Sequence, residues 1–176
     1  MPATSRMLRF GALMMLCLGL VLGTPTAVSA QSGHGGSTEK LSQKVKLKRA
    51  TKVRVHRAEH IALAQRGDAY SYGSAGPGAF DCSGLIYYSF RKAGFSAMPR
   101  TSSAQAGHVR RIPKSQLHRG DLMFFTGGGG VYHVGIFVGR LKSGAVQMLH
   151  SSTPGRPVQI DVPWTSSWFA GTMRRA

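Results

Sequence analysis

The stretch Asp81-Cys82-Ser83-Gly84-Leu85-Ile86-Tyr87-Tyr88-Ser89-Phe90-Arg91-Lys92-Ala93-Gly94 carries a helix with both ends marked. Asp81 stands where an N-cap belongs, since its carboxylate can accept from the free N–H groups of the first turn. Leu85, Ile86, Ser89, Phe90 and Ala93 recur at helical spacing, Lys92 complements the C-terminal dipole, and Gly94 closes the helix. Cys82 falls in the first turn, where backbone N–H groups and the positive end of the dipole favour a thiolate. In such places thiol pKa values can drop to about 3.5 to 7.5. The same N–H groups can bind the oxyanion formed when a sulfur attacks a carbonyl. A buried thiol acting as a small hydrophobe is the competing reading. The flanking Asp81 and Ser83, and Gly76-Pro77-Gly78 just before, weigh against an apolar setting.

Upstream, Ala58, Ile61, Ala62 and Gln65 fit a short amphipathic helix ending at Gly67, and Thr101 to Gln105 can add one turn after Pro99. Downstream the pattern changes to alternation broken by turns. Asp121 to Thr126, His133 to Val138, Ala145 to His150, Val158 to Asp161 and Trp168 to Arg174 read as strands. Gly127 to Gly130 and Lys142-Ser143-Gly144 are turn material, so neighbouring strands should form hairpins. Helices followed by strands predict an α+β fold, with N-terminal helices packed on one antiparallel sheet, over residues 58–176.

A thiolate nucleophile needs a base, and the base needs a group that fixes its tautomer. Seven histidines compete. His34 and His56 lie in a basic arm, and His108 and His118 sit among cations in expected loops. His133 begins an apolar strand, where it is either a structural residue or the base. The chain contains no Asn, so His150, Gln147, Gln159 and Asp161 are left as groups that could orient His133. His150 is preferred, because it ends a strand expected to pair with the one carrying His133.

The 176 residues hold 23 Lys plus Arg against 6 Asp plus Glu, a formal charge of +17, and only 16% charged residues against 42% hydrophobic. That is a globular composition with a basic excess. Two cysteines, Cys17 and Cys82, exclude a disulfide framework and structural zinc knuckles. Arg6 and Arg9, an apolar run from Phe10 to Leu22 and a small-residue end at Ala30 read as a secretory signal peptide over residues 1–30. The run falls short of the roughly 20 apolar residues of a membrane span, so no stable membrane anchor is expected. Leu16 before Cys17 argues against lipid attachment. Removing residues 1–30 leaves a formal charge of +15 and one thiol. Residues 31–57 are Gly/Ser-rich and then basic, with Lys40, Lys44, Lys46, Lys48, Arg49, Lys52, Arg54 and Arg57. Val45 and Leu47, then Val53 and Val55, alternate with cations in a strand-like way. This segment is either a solvated linker or an arm that binds a polyanion.

Five ordered blocks resemble the NlpC-type peptidoglycan endopeptidases: Asp81 to Ile86, Pro99-Arg100-Thr101-Ser102, Gly120 to Phe125, His133-Val134-Gly135-Ile136-Phe137 and Met148-Leu149-His150. The resemblance spans about His60 to Arg174 and implies a papain-like α+β fold. It implies Cys82 as nucleophile, His133 as base and His150 as the polar residue orienting it. Tyr70 is implied at the oxyanion, with a core aromatic as the alternative, and Asp81 and Ser83 in the substrate cleft, though each also has a capping role. Arg100 is expected to hold its loop rather than a substrate carboxylate. Two departures stand out: Arg119 replaces the Pro usual before Gly120-Asp121-Leu122, and the gap from His133 to His150 is longer than usual.

The function this implies is a secreted, wall-associated cysteine endopeptidase, monomeric and free of metal or organic cofactor. Its partners would be peptidoglycan stem peptides, cut between D-glutamate and the diamino acid, and anionic wall polymers held by the basic arm, with no nucleic acid. An amidase or acyltransferase on the same scaffold, or a non-catalytic polyanion-binding protein, are the alternatives.

Overall fold

The computed structural model describes residues 35–174. The expected signal peptide, Cys17 and the start of the arm through His34 lie outside the described residues. Helix α2, Cys82–Lys92, forms with Asp81 as its N-cap, the carboxylate accepting from the Gly84 N–H. Leu85, Ile86 and Phe90 are fully buried on its inner face. A short helix α3, Ser102–His108, follows on an N-cap from Thr101.

Helix α1 takes in the arm whose valines and leucine alternate with cations in a strand-like way. It runs unbroken from Gly35 to Leu63, across the expected boundary at residue 58. Thr51, Val55, Ala58, Glu59 and Ala62 are its buried residues, at helical spacing, whereas Val45, Leu47 and Val53 are exposed. The alternation had no neighbouring strand to pair with, and the Lys, Arg, Gln, Leu and Ala content favours helix. Arg54 secures α1 to the end of α2 by donating to the Gly94 carbonyl and lying over the Phe95 ring. The chain turns after Leu63 and leaves at Gly67, whose φ is +95°.

Strands β1 (Ala69–Tyr70) and β2 (Ala79–Phe80) form a two-residue parallel pair in front of α2. The main sheet contains β3 (Arg110–Ile112), β4 (Leu122–Gly127), β5 (Gly130–Arg140), β6 (Val146–His150), β7 (Gln159–Asp161) and β8 (Trp168–Thr172). It is antiparallel throughout, in the order β3-β8-β4-β5-β6-β7. Strands β4 to β7 are successive neighbours, as the turn residues predict. Strand β8 returns to the other side of β4, and β3, too cationic to be read as a strand, pairs with β8 at the edge.

The run Leu122-Met123-Phe124-Phe125 is buried on both faces because apolar side chains pack against each side of β4. Leu122 and Phe124 join Val134, Ile136, Leu149 and the residues of α1 and α2 in the main core. Met123 and Phe125 join Phe137 and Met148 in a second cluster on the alternate face. Two glycines allow this packing. A Cβ at Gly84 would stand 2.0 Å from the Ser74 carbonyl oxygen, and one at Gly120 would stand 2.6 Å from Val55 Cγ1. The unusual Arg119 beside Gly120 has a partner, an ion pair at 2.6 Å with the buried Glu59 of α1. Among the described residues no helix is long and apolar enough to cross a membrane.

Candidate active site

Cys82 opens α2 and half-faces a cleft of about 490 Å³ whose lining includes Tyr70, Asp81, Ser83, Arg100, Tyr132 and His133. All six residues implied by the motifs meet here or directly behind. Tyr70, Asp81, Cys82, Ser83 and His133 line this cleft, and His150 stands behind His133.

Burial pushes the Cys82 thiol above its ordinary pKa, and the Asp81 carboxylate adds to the rise. The backbone N–H groups of Val134, Ser83 and Cys82 itself pull the other way. Helix position alone pointed to a lowered value, but desolvation of the sulfur wins over the N–H groups around it. Burial, with a smaller contribution from His150, pushes His133 down to about 3. At neutral pH the resting pair is therefore a thiol and a neutral imidazole, not a preformed thiolate–imidazolium. Tyr70 is also raised, by burial first and then by Cys82 and Asp81, so its hydroxyl keeps its proton and can donate.

Asp81, Ser83 and Arg100 form one knot. Arg100 donates to both carboxylate oxygens of Asp81, at 3.0 and 2.7 Å, to Ser83 Oγ at 2.9 Å and to the Ser74 carbonyl at 3.2 Å. Asp81 also accepts from the N–H groups of Gly73 and Gly84 and from the Ser83 hydroxyl. Burial alone would raise the Asp81 pKa, yet Arg100 and the Gly84 N–H hold it below the usual carboxylate range. Arg100 thus holds the loop, as expected. Asp81 and Ser83 line the cleft with their polar atoms already engaged.

His133 Nε2 lies 2.9 Å from His150 Nδ1, and His150 Nε2 lies 2.9 Å from Asp161 Oδ2. The preferred partner of His133 is thus the one in contact, and Asp161, one of the alternatives weighed for that place, backs His150 instead. Burial lowers the His150 pKa despite the pull of Asp161 in the opposite direction. Sequence reasoning missed Trp164, whose only signal is an aromatic just after β7. Its half-exposed ring stacks on Phe125 at 4.7 Å and on His150 at 5.8 Å, and tilts over His133 at 5.2 Å. It covers both imidazoles and contributes to the desolvation that keeps them neutral. A second cavity of about 520 Å³ adjoins the cleft through Tyr132, His133 and Ser152 and continues past Thr153, Arg156 and Trp164. The groove therefore extends to both sides of His133. Among the described residues no group of three or more His, Cys, Asp or Glu is placed to hold a metal ion.

A papain-like α+β fold with a helix-borne cysteine and a strand-borne histidine lining one cleft defines the class of this domain. The NlpC/P60 family model matches residues 67–175, and the chain belongs to that family. The probable endopeptidase p60 of Listeria monocytogenes is 56% identical over 110 residues, covering 61% of this chain and 21% of the relative. The bifunctional muramidase/DL-endopeptidase CwlT of Bacillus subtilis is 44% identical over 82 residues, 44% of this chain and 25% of that one. The chain thus spans about a fifth to a quarter of these curated relatives. Among solved structures, RipD of Mycobacterium tuberculosis superposes with a TM-score of 0.57 at 25% identity, over 68% of this chain and 97% of that one.

Proposed function

We propose that this protein is an exported cysteine endopeptidase that hydrolyses peptidoglycan stem peptides, at the bond between D-glutamate and the diamino acid. The observation that carries this is the placement of Cys82 and His133 in one cleft with His150 hydrogen-bonded behind His133. Relatives named as endopeptidases, one of them a DL-endopeptidase, support the reaction and a bond that follows a D-residue. In the mechanism, His133 Nδ1 takes the thiol proton as Sγ attacks the carbonyl carbon. The oxyanion is met by the N–H groups at the start of α2 and by the Tyr70 hydroxyl. The imidazolium then protonates the leaving amine as the C–N bond breaks, and the same imidazole activates water to release the acyl group. RipD is described as a non-catalytic NlpC/p60 domain protein adapted to peptidoglycan binding, so membership alone does not decide turnover. The test is digestion of soluble peptidoglycan fragments containing diaminopimelate, with products identified by mass spectrometry. Release of L-Ala-D-Glu ends is the expected result. Fragments that bind but stay intact would favour the binding role described for RipD.

The basic arm supplies the second partner. Lys48, Arg49 and Lys52 of α1 line a groove together with Arg110 and Arg174. Arg174 is ion-paired with the buried Asp121, which leaves Lys48, Arg49, Lys52 and Arg110 as the groove's four other cations, and on a chain with so few acids these suit a phosphate-bearing wall polymer. Such attraction fades as the Debye length shrinks from roughly 10 Å at 0.1 M salt to 3 Å at 1 M. Retention on anionic wall polymer is expected at 0.1 M salt and lost at 1 M, and the triple change K48E/R49E/K52E should abolish it without altering cleavage of soluble fragments. Retention unchanged by the triple change would remove the arm from this role.

A further inference from the structure

The sheet register lays three polar side chains across three strands. In the β5–β6 pairing Ile136 faces Leu149, and continuing by one pair sets Gly135 opposite His150, so His133 and His150 are diagonal neighbours. In the β6–β7 pairing His150 faces Gln159 and Met148 faces Asp161, so His150 and Asp161 are diagonal as well. Diagonal positions on one face are within reach of long side chains. Gly135 lets β5 and β6 pack closely at this point, since a Cβ there would stand 3.1 Å from Met148 Sδ and 3.3 Å from the Leu149 carbonyl oxygen. The result is the chain His133 Nε2···Nδ1 His150 and His150 Nε2···Oδ2 Asp161, each contact 2.9 Å.

We propose that Asp161 is the positioning residue that sets the tautomers of both imidazoles and so leaves His133 Nδ1 unprotonated for the thiol of Cys82. This rests on the reading of Cys82 as nucleophile and His133 as base. Asp161 Oδ2 faces three donors: His150 Nε2 at 2.9 Å, Arg156 Nη2 at 3.2 Å and the Gln159 side-chain amide. Burial would raise its pKa, but hydrogen bonds from His150 and Gln159 hold the carboxyl below its usual range, so it is ionised and can only accept. His150 Nε2 must then carry the proton. A neutral His150 has its lone pair on Nδ1, which accepts from His133 Nε2–H. The single proton of neutral His133 is spent on that bond, and Nδ1 is left with the lone pair. If His150 carried its proton on Nδ1 instead, His133 Nε2 would have to accept, and Nδ1 would present an N–H to the thiol. The Trp164 ring packs against both imidazoles, 5.2 Å from His133 and 5.8 Å from His150, and limits their reorientation. The proton count closes through the reaction: the thiol proton moves to Nδ1 as the S–C bond forms, and Nδ1–H goes to the amine as the C–N bond breaks. His133 keeps its Nε2–H, donated to His150 Nδ1, throughout.

The test compares Asp161→Ala with Asp161→Asn in the full mature chain. An Asn oxygen placed among the same three donors keeps the acceptor while the charge is lost and the second carboxylate oxygen becomes an amide N–H₂. Asp161→Ala is expected to lower kcat by about 10- to 100-fold with KM nearly unchanged, the usual scale for removing a supporting partner. Asp161→Asn should stay within about threefold of wild type. Ring-nitrogen NMR gives a readout apart from turnover: His133 should be an Nε2–H tautomer in the wild type and in Asp161→Asn, and a mixture in Asp161→Ala. An Nδ1–H tautomer of His133 in the wild type would overturn the proposal even if Asp161→Ala failed to fold. Equal losses in the Ala and Asn variants would also overturn it, because the charge and not the acceptor would then matter. A wild type that cleaves nothing would refute the endopeptidase reading while leaving the tautomer measurement to be made.

Discussion

Replacing Cys82 with Ala is expected to abolish release of stem-peptide fragments, by about 10⁵- to 10⁶-fold, the scale seen when a nucleophile that acts as a unit with its base is removed. The thiol has no substitute in the cleft. Ser83 is the nearest hydroxyl in sequence, but it is buried and donates to Asp81 while accepting from Arg100, so it cannot turn to attack. Ser102 and Ser152 also line the groove, yet neither starts α2, where the N–H groups that would meet an oxyanion are. Stability should change little, by about 1 kcal/mol or less, since the lost atom is a half-buried sulfur and no hydrogen bond that caps α2 runs through it. The check is mass spectrometry of digests beside a thermal melt of the same preparation. Full digestion by a folded Cys82→Ala protein would place the chemistry elsewhere and end the cysteine mechanism.

The parts of this site that were readable from sequence are those in which local chemistry decides the structure. Asp81 caps α2 because a carboxylate followed by three amide donors has one favourable place to go, and Cys82 follows it into the first turn. Strands β4 to β7 were visible because alternation and glycine turns are local signals. The helix in the arm was hidden for a related reason. Its valines alternate with cations as a strand's would, but strand formation depends on a partner that the local sequence does not display, whereas Thr51, Val55, Ala58 and Ala62 have a core to enter only as a helix. The pairing of β3 with β8 is likewise non-local, and Arg110 and Arg111 hide it. At the site, His150 behind His133 could be argued from a hairpin. Asp161 behind His150 depended on the register of a third strand, and Trp164 on where a loop folds back. The direction of the Cys82 pKa was misjudged because helix position is local and desolvation is a property of everything packed around the sulfur.

His133→Gln tests base and burial together. Loss of the general base should cost about 10³-fold or more in kcat, since a glutamine amide cannot take the thiol proton. The same substitution should flatten the acid dependence of stability. An unfolded His133 titrates near 6.5, and the folded one is pushed down to about 3 by burial and His150. Between those values the unfolded chain holds a proton that the folded chain refuses, so stability falls as pH drops from 6.5 towards 3. At pH 5 this one residue should cost about 2 kcal/mol relative to pH 7. His150, also lowered by burial, adds to the loss in the same direction. The carboxylates Asp81 and Asp161 are held below 3.8 and lose their contribution only in stronger acid, which leaves the interval from pH 7 to 5 to the histidines. Urea unfolding of wild type and His133→Gln at both pH values measures the difference. The wild type should lose more stability than the variant by about 2 kcal/mol. Equal losses would mean that His133 binds a proton in the folded state well above pH 5, and a ring protonated there could not serve as the neutral base from which the mechanism starts.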